Sequence, residues 1–442
     1  MTVALGPRAL PLVGGALQLR GDPLRRIGEL RDRYGGVVPL GPAPGTFLYL
    51  VTAPSAVKHV LVDNYKAYKK GRAAQRMAGV LGRGSLLLEG DAWRQRRRLV
   101  MPSFHRSKIA AIASSFTSAA EALAESWKSK SEPIDLREEM LRLTMALTIK
   151  NLFRADDASE ELQRLVAAWG ALYDEMTRSR LALVRPPSWL KTARKVRFEE
   201  SKRTVDEILG RFIERRRAAA DDDGSLLTML VNARDAENDA QLSDPELRDE
   251  VMTLFVGGYE TSSNALSFTL ALLAAHGDIA RRHREELDSV LEGRVPGMDD
   301  LAKLPFNRMV LEESMRLFPP SWMITREALE DDVLEGVPIP RGSQLLISIY
   351  GTHHDPKVWP DPEKFDPDRF ASADRAKLSY FPFGGGQRLC MGDQYALTEM
   401  QLVIAILMQR LTLRLAPGTS IGVRADIGLR PASPLRVLAT AR

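Results

Sequence analysis

Cys390 is the only cysteine among 442 residues, and its neighbours suit an anion rather than a thiol. The stretch reads Phe383-Gly-Gly-Gly-Gln-Arg388-Leu-Cys390-Met-Gly392, with an arginine two residues before the sulfur and an apolar run over 396–407 behind it. Glycine accepts positive φ, so such a loop can turn several backbone N–H groups onto one atom. Those donors, and the partial positive charge where the following helix begins, favour thiolate. A lone cysteine is more often a small buried hydrophobe. That reading leaves both the glycines and Arg388 unexplained.

Three further constellations could serve such a centre. Phe255-Val-Gly257-Gly258-Tyr-Glu260-Thr261-Ser262 lies in the longest helical pattern, 243–277, which Ser243 and Glu246 open as a capping box. Two glycines inside a helix cost roughly 1 kcal/mol each relative to alanine. They are expected where something approaches the backbone closely, a ligand or another helix. Asp91 is expected to cap a helix on which Trp93 and Arg97, four apart, share a face and can both donate to one carboxylate. Glu313 and Arg316 stand three apart on a helix made partly buried by Phe306, Val310 and Leu317, and Arg369 follows in Asp366-Pro-Asp-Arg369-Phe370.

The pattern F-x-x-G-x-R-x-C-x-G, with Phe383, Gly386, Arg388, Cys390 and Gly392 in place, resembles the haem-thiolate loop of the cytochrome P-450 family. The resemblance implies that Cys390 is the proximal ligand of haem iron, where thiolate donation favours O–O cleavage. It also carries over residue by residue to the other motifs. Gly257-Gly258-Tyr-Glu260-Thr261 is similar to the family's A/G-G-x-D/E-T groove, in which Thr261 would hydrogen-bond bound oxygen and Glu260 would relay protons. Gly257 stands where alanine is common, which implies more room above the iron. Trp93, Arg97, Arg388 and Arg326 would neutralise the haem propionates, while Glu313, Arg316 and Arg369 resemble a structural triad ahead of the cysteine loop.

The elements that must position these residues read as mostly helical. Periodicity predicts helices over 23–34, 54–64, 107–128, 136–153, 159–180, 243–277 and 304–317, and another ending near 217. Residues 47–51 read as a strand, and alternation through Val337, Ile339, Leu345, Ile347 and Ile349 as a small sheet. Residues 71–85, with four glycines, read as a long loop. Pro186-Pro187 breaks a helix pair and resembles the family's mobile lid. His353 and His354 are expected in a solvated loop. Pro7, Pro11, Gly14 and Gly15 make 1–22 an extended opening segment. The expected fold is therefore mainly α with a small β region, one cytochrome P-450 domain over 1–442. Haem is expected between the long central helix and the cysteine loop.

Composition narrows the function classes. Hydrophobic residues make up 44% and charged residues 27%, which suits a globular core. One cysteine excludes an intrachain disulfide and fits a reducing cytosol. Net charge is +5 without a block of five or six like charges, so a basic face is expected rather than a nucleic-acid-binding tail. Arg94, Arg96 and Arg98 are expected to be exposed and, with Arg388, to steer an acidic electron donor. No signal peptide or membrane anchor is read at the start, and a cytoplasmic monomer is expected.

The function implied is a haem-thiolate monooxygenase using haem b, O2 and electrons from NAD(P)H. A ferredoxin and ferredoxin reductase, as separate proteins, would deliver the electrons, because no stretch reads as flavin-binding. A peroxide-dependent peroxygenase is disfavoured by Glu260-Thr261, and a haem protein that only binds or senses a ligand is the reading outside enzymes. Met77, Val80, Leu81, Leu254, Phe255, Ser321, Met323 and Ile324 are the expected pocket, mostly apolar, so the substrate is expected to be lipophilic. Terpenoids or fatty acids are favoured, with macrolides and polyketides behind them.

Overall fold

The first long helix, α1 (Pro23–Tyr34), shows how closely local sequence sets the boundaries. The Asp22 carboxylate accepts from the Leu24 and Arg25 amides at 3.1 and 3.2 Å, and proline fills the first turn. Leu24, Ile27 and Leu30 face inward, and Gly35 ends the helix at φ +97°. The computed structural model describes residues 6–7, 14–43, 46–154, 160–181, 192–219, 221–372 and 376–442. Pro186 and Pro187 lie outside them.

The remaining long helices are α2 (Gly90–Val100), α3 (Arg106–Lys128), α4 (Leu136–Phe153), α5 (Glu160–Leu181), α6 (Ala193–Ala218), α7 (Asp244–Ala275), α8 (Gly277–Leu291), α9 (Pro305–Leu317) and α10 (Asp393–Arg410). Among the described residues, no helix is long and apolar enough to cross a membrane.

The chain divides into two compact units. The first comprises Met1–Arg72, Ala113–Leu143 and Glu260–Arg442, and the second Ala73–Ile112 and Thr144–Tyr259. In the first, five strands pair in the order Val37–Ala43, Thr46–Val51, Gln344–Ser348, Met323–Ala328, Tyr68–Lys70. The second and third strands run parallel and every other pair is antiparallel. The core of this unit includes α10, buried all round from Leu402 to Met408, as a helix without a polar stripe must be. In the second unit Phe153 of α4 stacks on Phe212 of α6 at 4.6 Å, and Glu161 of α5 pairs with Arg211 and Arg215 at 2.7 Å.

Several expectations are corrected. A single helical turn, Gly14–Leu17, interrupts the segment read as extended; Gly15 is pressed so close to the Gly41 carbonyl that a Cβ would lie 2.9 Å from its oxygen. Asp91 is not the cap of α2, which begins at Gly90, and its carboxylate is taken by Arg94 within the first turn. Residues 71–85 are not loop throughout: Arg72–Gln75 and Ala78–Leu81 each form a helical turn. Acids of α7 hold the end of that segment, Asp249 accepting from the Arg83 amide at 2.6 Å and Glu250 from the Ser85 amide at 2.8 Å. Ile349 leaves the sheet to start a short helix, Ile349–His353, capped by the Ser348 hydroxyl.

His353 and His354 are also corrected, because both are buried rather than solvated. His353 Nε2 accepts from the Phe381 amide at 3.0 Å, and burial holds its imidazole neutral well below the usual range. Burial likewise pushes His354 down to about 3.

Candidate functional site

In the first unit, the cysteine loop is built from reversals only glycine makes easily. Gly384 and Gly386 adopt φ +77° and +64°, and Gly386–Arg388 forms one tight turn. The Cys390 amide donates to the Phe383 carbonyl at 3.1 Å, and the Leu389 amide to Gly386 at 3.1 Å. Cys390 emerges exposed at the end of this turn. Gly392 then precedes the eighteen-residue α10 and so places the sulfur just ahead of a helix N-terminus. An exposed thiol just ahead of a helix N-terminus fits an anionic ligand of haem iron.

The segment leading to this loop is tied down by a buried ion cluster. Arg316 Nε and Nη2 donate to the two Glu313 oxygens at 2.7 and 2.9 Å, and Arg369 Nε stands 3.5 Å from Glu313 Oε1. Glu313 also accepts from the Asp366 amide at 3.0 Å, while Arg316 donates to the carbonyls of His353 and Lys364 at 2.8 and 3.2 Å. The sequence puts these three charges in two distant motifs, and the fold brings them together. Arg326 sits buried on the strand Met323–Ala328, donating to the Thr325 carbonyl at 2.9 Å; Arg388 is half-buried. Ser321, Met323 and Ile324 precede Arg326 and are half-buried.

Along α7 the residues sort by face. Leu254, Gly257 and Thr261 recur at helical spacing and are partly or wholly exposed. Among the described residues, nothing beyond the helix's own backbone and the adjoining residues lies within 4 Å of a Cβ built at Gly257. Phe255, two residues from Gly257 and hence on the opposite face, is buried against Trp169 and Tyr259, with ring centroids at 6.3 and 5.5 Å. Phe255 is therefore placed as a core aromatic. Gly258 differs from its neighbour, since a Cβ there would lie 3.2 Å from Thr148 Oγ1. One glycine of the pair answers to helix packing, the other does not. Glu260 is half-buried, and its carbonyl accepts from the Ser263 hydroxyl at 2.9 Å.

In the second unit, the Arg97 guanidinium lies 5.7 Å from the buried Trp93 ring, so the shared face expected of them is present. Met77 is half-buried, whereas Val80 and Leu81 are buried. The expectation of exposed arginines fails for Arg96, which is 5% exposed and pairs with Glu246 at 2.6 Å and Glu250 at 3.5 Å. Arg94 and Arg98 are exposed as expected, and Arg98 carries Asp235 and Glu237 at 3.0 and 2.9 Å.

Two groups escaped the sequence reading. Glu399 of α10 is wholly buried and hydrogen-bonded to Ser262, and its Oε2 has no hydrogen-bond partner among the described residues; burial pushes its carboxyl up to about 8. Thr144 of α4 is also wholly buried and donates to the Tyr259 carbonyl at 2.8 Å. Neither stands in a motif. A polar residue interrupting an apolar run was the only available signal.

Comparison with known proteins agrees with this geometry. A family profile described as Cytochrome P450 matches residues 5–436. The chain is 35% identical to cyclooctatin synthase of Streptomyces melanosporofaciens, over 98% of this chain and 95% of that protein. It is 33% identical to cyclooctat-9-en-7-ol 5-monooxygenase of the same organism, over 95% and 91%. It is 31% identical to carotene epsilon-monooxygenase of Arabidopsis thaliana, over 93% and 80%.

Proposed function

The chain belongs to the cytochrome P450 family and is an oxidoreductase, and from that premise we propose that it hydroxylates a lipophilic terpenoid with electrons from a separate ferredoxin. The observation that carries this reading is the exposed Cys390, the only cysteine, held by a positive-φ glycine turn ahead of α10. Haem held through a thiolate supplies dioxygen activation and the oxidising power. The chain supplies binding, orientation and proton handling.

Cys390 would hold the iron, with Phe383 and Gly392 bounding its loop and Arg388 beside it. Arg326, Arg97 and Trp93 would donate to the propionates, because charge-assisted hydrogen bonds to a carboxylate are strong and directional. Thr261 would hold a proton at its hydroxyl, and Glu260 would pass protons toward that hydroxyl from solvent. Gly257 and Gly258 keep that stretch of helix free of side chains. The Glu313, Arg316 and Arg369 cluster holds the approach to the loop rather than taking part in chemistry.

Apolar contacts from Met77, Val80, Leu81, Leu254, Met323 and Ile324, with Ser321 as a polar neighbour, would hold the substrate. Relatives named a cyclooctat-9-en-7-ol 5-monooxygenase and a carotene epsilon-monooxygenase support a terpenoid over a fatty acid or macrolide. The protein would work as a cytoplasmic monomer.

The test is turnover of a terpene panel, chosen by substrate-induced haem spectral shifts, with NAD(P)H, ferredoxin and reductase, run against peroxide alone. Product from the reductase system supports a monooxygenase. Product from peroxide only, or from neither, overturns the reading. In the same preparation, Cys390→Ser should lose the red-shifted carbon-monoxide band that a thiolate ligand gives.

A further inference from the structure

One turn of α7, just before Glu260 and Thr261, is gripped by two other helices of the second unit. The Thr144 hydroxyl donates to the Tyr259 carbonyl at 2.8 Å from α4, where Thr144 is wholly buried. The Trp169 indole N–H, on α5, donates to the Tyr259 hydroxyl. Thr148, one helical turn beyond Thr144, packs against the backbone at Gly258. The carbonyl, the ring tip and the preceding residue of Tyr259 are all held.

A carbonyl inside a helix ordinarily accepts from the amide four residues on. A hydroxyl added to that carbonyl competes with the ladder bond and tilts the peptide outward. Here consecutive carbonyls each accept such a hydroxyl: Tyr259 from Thr144, and Glu260 from Ser263 at 2.9 Å. The peptide held by Thr144 joins Tyr259 to Glu260. Its orientation therefore bears on the direction in which Glu260 and Thr261 leave the helix.

We propose that Thr144 is a positioning residue for the Glu260–Thr261 pair, acting through the 259–260 peptide. The inference rests on the proton-handling role given above to that pair. Thr144 would act without touching substrate or haem. A buried threonine whose hydroxyl merely satisfies a hydrogen bond would affect stability alone.

Thr144→Val removes the hydroxyl and keeps the shape. In the haem-loaded protein, product formed per NAD(P)H consumed should fall roughly three- to tenfold, within the cost of a small misplacement of a catalytic group. Peroxide release should rise by the matching amount, while peroxide-driven turnover, which needs no proton relay, stays within about twofold. Hydrogen exchange of the peptide spanning 258–264 should quicken, an effect read without any turnover. Thr144→Ser should restore both coupling and exchange. Thr144→Ala serves as the second variant should the valine protein fail to fold.

Thr261→Ala is measured alongside. If Thr261→Ala uncouples and Thr144→Val does not, Thr144 is only structural and the proposal is overturned. If Thr261→Ala leaves coupling intact, the role of the pair itself fails, and this inference fails with it.

Discussion

Gly386 faces the backbone carbonyl of Leu61, so closely that a Cβ on Gly386 would lie 1.9 Å from that oxygen. The cysteine loop is thus seated on the helical turn His59–Asp63, which holds it by backbone rather than by an adjustable side chain. Gly384, two residues earlier, shares the positive φ, but among the described residues nothing beyond its chain neighbours lies within 4 Å of its missing Cβ.

That contrast separates two costs. Gly384→Ala should cost about 1 kcal/mol, the backbone penalty alone. Gly386→Ala adds a clash that no rotamer relieves, and should destabilise by more than about 2 kcal/mol with reduced haem retention. Thermal denaturation and haem absorbance per mole of protein check both. Equal effects from the two variants would mean that the Leu61 seat does not hold the loop.

The triad makes a second prediction. Glu313 and Arg316 are both fully buried, so Glu313→Gln leaves a guanidinium charge without its counter-ion. Breaking such a pair from one side costs roughly 3–5 kcal/mol. Urea unfolding should show a loss of that size. A loss below about 1 kcal/mol would mean that the carbonyls of His353 and Lys364 suffice for Arg316.

The cysteine loop and the Trp93–Arg97 face could be read from sequence because each depends on residues within ten positions of one another. The triad needed one long-range step, which only the resemblance to the cytochrome P450 family supplied. Arg96 could not be read in the same way. On its own helix it is one of several arginines in a row, and only Glu246 and Glu250, some 150 residues away, make it a buried ion. The turns within 71–85 failed for the same reason, since Asp249 and Glu250 hold their far end. His353 looked like the start of a loop because the Asp-Pro after it suggests a turn. Its burial is set by the Phe381 amide and the Arg316 carbonyl, which no local pattern contains.

Glu399 yields a pH dependence. Its folded carboxyl titrates at about 8, against an ordinary value of 4.5, because burial penalises the anion. Between these values the folded chain keeps a proton that the unfolded chain has lost. Stability from the neutral carboxyl is therefore complete below about pH 4.5 and declines by about 1.4 kcal/mol per unit until pH 8. Glu399→Gln stays neutral and can still accept from Ser262, so it should flatten that slope and be more stable by roughly 3 kcal/mol at pH 7. Melting temperature against pH for both proteins decides it. Parallel curves would show that Glu399 is ionised in the folded chain.

The two glycines of α7 offer the sharpest comparison between packing and function. Among the described residues, a Cβ at Gly257 meets nothing outside its own helix backbone and adjoining residues within 4 Å, whereas one at Gly258 must push Thr148 aside from 3.2 Å. Alanine is the better helix former by about 1 kcal/mol, so Gly257→Ala should stabilise the protein by roughly that much. Gly258→Ala should gain the same helix propensity and lose it again in moving Thr148, for a net change near zero. If Gly257 is glycine to leave room for a small ligand, its alanine variant should gain stability yet bind carbon monoxide more slowly. Gly258→Ala should bind it at the wild-type rate. Flash photolysis of the reduced, haem-loaded proteins reads both rates, and unfolding curves read the stabilities. A Gly257→Ala protein that is more stable and rebinds carbon monoxide as fast as wild type would remove any steric role for that glycine.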